Sequence, residues 1–239
     1  MRLQSIKRFE QQPACCAISS CACISHYYNS EIDYEVVGDI AAKLFKPCKV
    51  EDEGLSSPEI GMLLNVLGFK KVTIISTDLN IVDYDWQGKN KAHIKKQLKI
   101  LSRYKNDNYS SVAEGMIKFL SNKKCTNKIL VDNQFGKYIR KMIDRDLPIL
   151  VSYLWNVYFG IPKVDENDNV DSITGQQLFH VVVAYAYNKY GLRVIDSHRE
   201  NYRYRLKKFR KGRYLMPWEE LMLSMAEGDI IVPDNYKQP

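Results

Sequence analysis

Long apolar runs are missing from this sequence. The longest apolar-looking uncharged stretch, Leu147 to Pro162, is interrupted by Pro148, Ser152, Asn156 and Gly160. It falls short of the roughly 20 apolar residues that a membrane-spanning helix needs. The segment Met1 to Gln12 carries Arg2, Lys7, Arg8 and Glu10 with no apolar core before a small-residue cleavage site, so no secretory signal is read and a cytoplasmic location is expected. Internal repeats and low-complexity segments are also missing. Histidine is scarce: the four are His26, His93, His180 and His198. The six cysteines lack the paired two-residue gaps of a zinc knuckle, and Cys15, Cys16, Cys21 and Cys23 would point in several directions from a helix. No metal site is expected. A chain of 239 residues buries enough surface to fold without disulfide staples, so free thiols are expected.

What is present is the composition of an ordinary globular protein, with 45% hydrophobic and 26% charged residues. The net charge of +7 is concentrated in two stretches: Lys89 to Lys105 holds seven Lys or Arg residues and Arg199 to Arg213 holds eight. In the first, Ile94, Leu98 and Leu101 recur at helical spacing, which predicts an amphipathic helix with a solvated basic face. In the second, Tyr202, Tyr204, Phe209 and Tyr214 interleave with the cations. That pattern suits either stacking on nucleic-acid bases or a half-buried edge strand guarded by Lys and Arg. No nucleic-acid recognition motif accompanies it, and an anionic partner is carried as an expectation for stretches 89–105 and 199–213.

The pattern along the chain predicts helices first and strands later. A buried, small-residue helix is read over Ala14 to Tyr28. A second runs from about Ile32 to Leu44, capped by Asn29 or Ser30 and stopped by Pro47. A third starts at Ser56, Ser57, Pro58 and Glu59 and closes at Gly68. Lys71 to Ser76 reads as a strand. Asp78 to Thr126 reads as an elaboration with helices near Ala92 to Tyr104 and Ser111 to Leu120. After a helix over Phe135 to Ile143, strands are predicted at Pro148 to Leu154, Leu178 to Tyr187 and Gly191 to Ile195. A helix over Pro217 to Ala226 and a strand over Ile230 to Val232 follow. This order predicts one α+β domain, residues 1–239, with N-terminal helices on a C-terminal antiparallel sheet and a helical elaboration at about 78–126.

A nucleophilic cysteine belongs at the opening of a helix, where free backbone N–H groups and the helix dipole favour thiolate. Cys16 has that position. It needs a histidine to take its proton. His26 lies ten residues further along the same helix, about 15 Å away at 1.5 Å per residue, and His93 is expected to be solvated in the basic helix. His180 opens the apolar run Val181, Val182, Val183, Ala184, Tyr185, where a polar ring is costly unless it is functional or well bonded. The turn Asn188 to Gly191 then brings Asp196 back beside it, able to accept from the far ring nitrogen. His198 is a reserve.

The run Cys16, Ala17, Ile18, Ser19, Ser20, Cys21, Ala22, Cys23, Ile24, Ser25, His26, Tyr27, Tyr28, Asn29 resembles the nucleophile helix of the bacteriocin-processing, double-glycine leader peptidases, which are papain-like cysteine proteases. The preference for Cys16 over Cys15 follows the register of that resemblance. Glu53 to Ser57 leading to Leu67, Gly68 and Phe69, the strand Leu147 to Leu150, and then His180 and Asp196 follow in the same order; the likeness covers residues 9–77 and 135–232. It implies a papain-like fold, a peptide or protein substrate, no cofactor, and a Cys16, His180, Asp196 triad. Family members place a Gln six residues before the nucleophile as an oxyanion donor, and here that offset holds Glu10, which cannot donate when ionised. Gln11 is the preferred substitute and Gln12 the other. Ala17 for the usual Gly and Ser197 for a frequent Pro are further departures. Relatives are commonly fused to a transporter, whereas a stand-alone form is expected here. Acyl transfer or glutamine deamidation through the same thioester is the neighbouring chemistry, and a catalytically silent papain-like binding module is the rival from another class.

Overall fold

The structure, a computed structural model, describes residues 5–12, 15–45, 54–104, 107–165, 169–198 and 212–238. Expectations that fall on Pro47, Glu53, Tyr202, Tyr204 and Phe209 lie outside the described residues.

Helix α1 (Cys16–Tyr28) is buried along most of its length, from Ala17 to Ser25. Its Ala and Ser side chains are small enough to let it press against the sheet. Helix α2 (Tyr34–Phe45) buries Val37 and Ala41. Its start lies beyond the expected one: Asp33 Oδ1 accepts the free Val36 N–H at 3.0 Å, while Asn29 shapes the preceding turn through Glu31 N. Helix α3 (Ser57–Val66) begins as its sequence dictates, with the Glu59 carboxylate accepting from Ser56 N at 2.9 Å and Ser56 Oγ at 2.6 Å.

Seven strands form one sheet in the order β2-β1-β7-β3-β4-β5-β6. They are β1 (Phe69–Ser76), β2 (Lys128–Val131), β3 (Ile149–Leu154), β4 (Phe179–Tyr187), β5 (Gly191–Ile195), β6 (Arg213–Pro217) and β7 (Asp229–Tyr236). All neighbours are antiparallel except β1 and β2. The architecture is α+β with helices packed on this sheet. It differs in one respect from a purely C-terminal sheet, because β1 from the N-terminal half, with β2 from mid-chain beside it, extends the sheet.

That extension explains the elaboration. A short 3₁₀ turn (Tyr84–Trp86), α4 (Lys91–Leu101) and α5 (Asp107–Ser121) form the crossover between parallel β1 and β2. Helices α5 and α3 approach closely because Gly61 faces Phe119: a Cβ on Gly61 would lie 2.6 Å from that ring. Buried amides lock the contact, with Asn127 Nδ2 donating to Asn65 Oδ1 at 2.7 Å and to the Phe119 carbonyl at 2.8 Å. On α4, Ile94 and Leu98 are buried and Lys91, Lys96 and Lys99 face solvent. His93 is half-buried rather than solvated.

Two short helices and one helix of ordinary length complete the chain: α6 (Phe135–Ile143), α7 (Trp155–Phe159) and α8 (Trp218–Ser224). Strand β7 opens with a buried carboxylate. Asp229 pairs in register with Ser76 on β1 and Ser152 on β3. Burial pushes its pKa up to about 7 against the opposing Ser57 and Ser76 hydroxyls, and Asp78 adds to the rise. A raised folded-state value means that stability is fully present below the ordinary 3.8 and is lost as pH rises through about 7. Asp229→Asn is therefore expected to stabilise the protein by roughly 1–4 kcal/mol at pH 8 and to change little at pH 3.5. Urea titrations at the two pH values check this, and an equal effect at both would contradict it.

Candidate active site

Helix α1 and strand β4 bring the first two groups together. Ser20 Oγ donates to the Val181 carbonyl at 3.0 Å in the buried interface between them. Cys16 is four residues before Ser20 and so lies on the same helix face, one turn nearer the N-terminus. Val181 follows His180. This single hydrogen bond therefore fixes the height of Cys16 against the histidine. Cys16 is among the groups that raise the His180 pKa, which puts its thiol beside that ring, and Cys16 is half-buried at the first turn of α1, with Cys15 as the capping residue.

The other side of the ring is held by Asp196. His180 Nε2 lies 2.7 Å from Asp196 Oδ1, and both side chains are almost wholly buried, at 6% and 3% exposure. With Nε2 committed there, Nδ1 is the ring atom left for Cys16. The carboxylate has two further donors: the His198 N–H reaches Oδ1 at 2.8 Å and the Tyr214 hydroxyl reaches Oδ2 at 3.0 Å. Burial opposes charge on both members, but the pair reverses this: Asp196 holds the His180 pKa well above 6.5, and His180 with its neighbours holds Asp196 below 3.8. The pairing favours the imidazolium–carboxylate form.

Aromatic rings wall the histidine. Tyr153, its cross-strand partner, meets the His180 ring edge-on at 5.9 Å, and Trp155 lies 6.4 Å away. His198 stacks on Trp155 at 5.8 Å and meets His180 at 6.1 Å. His26 is spent elsewhere, with Nδ1 2.9 Å from the Ile32 carbonyl.

The residues before the cysteine separate clearly. Glu10 is half exposed, and its carboxylate pairs with Arg8 at 3.2 Å. Gln11 is tied twice to the residue after Asp196: its N–H donates to the Ser197 carbonyl at 3.0 Å, and its Oε1 accepts from Ser197 Oγ at 2.8 Å. That leaves its NH₂ group to donate elsewhere. Gln12 is exposed, and its N–H meets the Tyr34 hydroxyl at 3.4 Å.

Among the remaining thiols, Cys21 and Cys23 are buried inside α1 and burial raises both, Cys23 to about 11. They are poor nucleophiles. Cys15, Cys16, Cys21, Cys23 and Cys125 are free thiols, and among the described residues no group of three His, Cys, Asp or Glu could hold a metal ion. No described helix is long and apolar enough to cross a membrane.

Three contributors were not legible in sequence. Tyr214 read as one of the aromatics of the basic stretch, suited either to stacking or to a half-buried edge strand; it lies on the edge strand β6, buried, and its bond to Asp196 was not foreseen. Arg213 beside it is also engaged, donating to the Ile6 carbonyl. Trp155 and Arg8 reach the site only through tertiary packing. The alternating Tyr/Arg pattern that signals an edge strand was the one hint for Tyr214.

No protein-family model matches this chain, and no curated protein is similar to it in sequence. Among solved structures, it is similar to xylellain, a cysteine protease from Xylella fastidiosa, with 11% identity, a TM-score of 0.50, and coverage of 98% of this chain and 84% of that one. A second similar structure is a protein from Bacillus anthracis assigned as a C39-like peptidase, with 12% identity, a TM-score of 0.41 and 98% of each chain covered. The xylellain likeness establishes the fold, which is papain-like.

Proposed function

We propose that this protein is a thiol hydrolase that cleaves a peptide or related amide bond. The observation that carries the proposal is the buried His180 ring, on the strand that α1 packs against, bonded to the Asp196 carboxylate at 2.7 Å, with Cys16 at the first turn of that helix and among the groups that act on the ring. In the proposed reaction His180 holds the proton from the Cys16 thiol, and the sulfur attacks the substrate carbonyl carbon. The proton passes from His180 to the departing amine as the C–N bond breaks. Water, deprotonated by His180, then attacks the thioester, and the acid product and the free thiol are released. Asp196 fixes the ring orientation and supports the imidazolium.

The oxyanion is assigned to the Cys16 backbone N–H, free at the first turn of α1, and to the Gln11 amide. The orientation of Gln11 supports this choice over Gln12, because Ser197 takes its carbonyl oxygen and leaves the donor end available. Glu10, the departure that favoured a silent binding module, is turned to Arg8. Hydrolysis of a peptidyl-amide library, absent in Cys16→Ala, tests the proposal. Gln11→Ala is expected to lower kcat by roughly 10²–10³-fold, and Gln12→Ala to stay within about twofold. The reverse ranking would move the donor role to Gln12. Amine acceptors added to the same assay separate hydrolysis from acyl transfer.

A further inference from the structure

The backbone just after Asp196 is unusual. In a strand, successive carbonyls point to opposite edges, and β5 ends at Ile195. Beyond it, the carbonyls of Asp196, Ser197 and His198 converge on one guanidinium. Arg8 Nε donates to the Asp196 carbonyl at 2.6 Å, and Arg8 Nη2 donates to His198 at 2.9 Å and to Ser197 at 3.4 Å. Its remaining nitrogen, Nη1, meets Glu10 at 3.2 Å. Three carbonyl dipoles aimed at one point repel each other unless a cation with several fixed donors sits there. The planar fork of arginine provides that, and a lysine ammonium does so poorly.

The opposite wall is shaped for the same group. Gly212 has φ 63°, and a Cβ there would lie 2.0 Å from Arg8 Nε and 2.4 Å from the Asp196 carbonyl oxygen. The Gly212 carbonyl accepts from Asp196 N at 2.8 Å. The curled turn that results has two consequences on opposite sides of the site. It folds the His198 N–H onto Asp196 Oδ1, which aims that carboxylate at His180, and it presents Ser197 Oγ to Gln11 Oε1.

We propose that Arg8 is a positioning residue for the reaction: by gathering the carbonyls of residues 196–198 it sets both the Asp196 carboxylate behind His180 and the Gln11 amide that faces the oxyanion. The inference rests on the triad proposed above. It concerns geometry transmitted through Asp196 and Ser197, since Arg8 itself touches no reacting atom.

The test compares the full-length protein with Arg8→Lys and Gly212→Ala, the second of which displaces the guanidinium without removing it. The primary readout is the His180 ring titration followed by NMR, which needs no substrate. The midpoint is expected to fall by about one unit or more in both variants as Asp196 loosens its hold. The kcat of peptidyl-amide hydrolysis is expected to fall by roughly 10–100-fold with KM little changed, as for an interaction felt mainly in the transition state. A purely structural role would lower the melting temperature and leave the His180 midpoint of the folded protein where it is. A wild-type midpoint in folded Arg8→Lys, or in folded Gly212→Ala should Arg8→Lys not fold, overturns the inference. If the wild type hydrolyses no amide, the thiol-hydrolase proposal fails on its own, and the NMR comparison still decides whether Arg8 sets the His180–Asp196 pair.

Discussion

Asp196→Ala is expected to lose roughly 3–5 kcal/mol of folding stability near pH 5.5, because removing one member of a buried ion pair strands the other. Three donors lose their acceptor at once: His180 Nε2, the His198 N–H and the Tyr214 hydroxyl. The sign of the pH dependence follows from the two shifts. The raised His180 value means its contribution is fully present below the ordinary 6.5 and is lost as pH rises through the folded-state value. The lowered Asp196 value means its contribution is present above the ordinary 3.8 and is lost as pH falls through the folded-state value. The pair therefore stabilises most between those two ordinary values. Urea unfolding of wild type and variant should show the largest gap near pH 5.5 and a smaller one above pH 10. A gap independent of pH would mean that Asp196 contributes packing and neutral hydrogen bonds only.

His180→Ala has the largest expected effect on activity. General-base and general-acid transfer by one histidine are worth about 10²–10⁴-fold each time they are used, so kcat should fall by at least 10³-fold. KM should move little, because the proton is handled only after substrate is bound. His198 is not expected to take over, because its ring is stacked on Trp155. His198→Ala should accordingly leave most of the rate in place, and a His198→Ala loss as large as that of His180→Ala would reassign the base.

Much of the architecture was legible because local patterns and tertiary packing agree. The Phe135–Ile143 helix and the Gly191–Ile195 strand have the bounds their periodicity dictates, and the Ser56 and Glu59 signals start α3 where they should. Strand β2 was invisible: four residues at a sheet edge, Lys128–Val131, are too few for a period to register, and they become a strand by pairing with β1. Helix α7 lies in an apolar stretch whose composition continues that of β3, and only its backbone geometry separates the two.

At the site, scarcity of histidine and the β4–β5 hairpin made His180 and Asp196 readable as neighbours, and the structure places them 2.7 Å apart. Arg8 was not readable because its partners lie 188 to 190 positions away in the chain, and no local pattern encodes such a contact. Tyr214 was obscured differently. Its surroundings in sequence are basic, and charge density drew attention to the solvent side of a strand whose other face is buried against Asp196.

Site-resolved alkylation by iodoacetamide at pH 5.5, read by peptide fragmentation so that Cys15 and Cys16 are distinguished, addresses the pairing of sulfur and imidazole without any substrate. An ordinary thiol with a pKa near 8.5 is only about 0.1% thiolate at that pH. In the wild type, Cys16 should react fastest of the cysteines, Cys21 and Cys23 should stay unlabelled in the folded protein, and His180→Ala should slow Cys16 by two to three orders of magnitude. Equal Cys16 labelling in wild type and His180→Ala would show that the histidine does not activate the sulfur, and the proposed chemistry would fall with it.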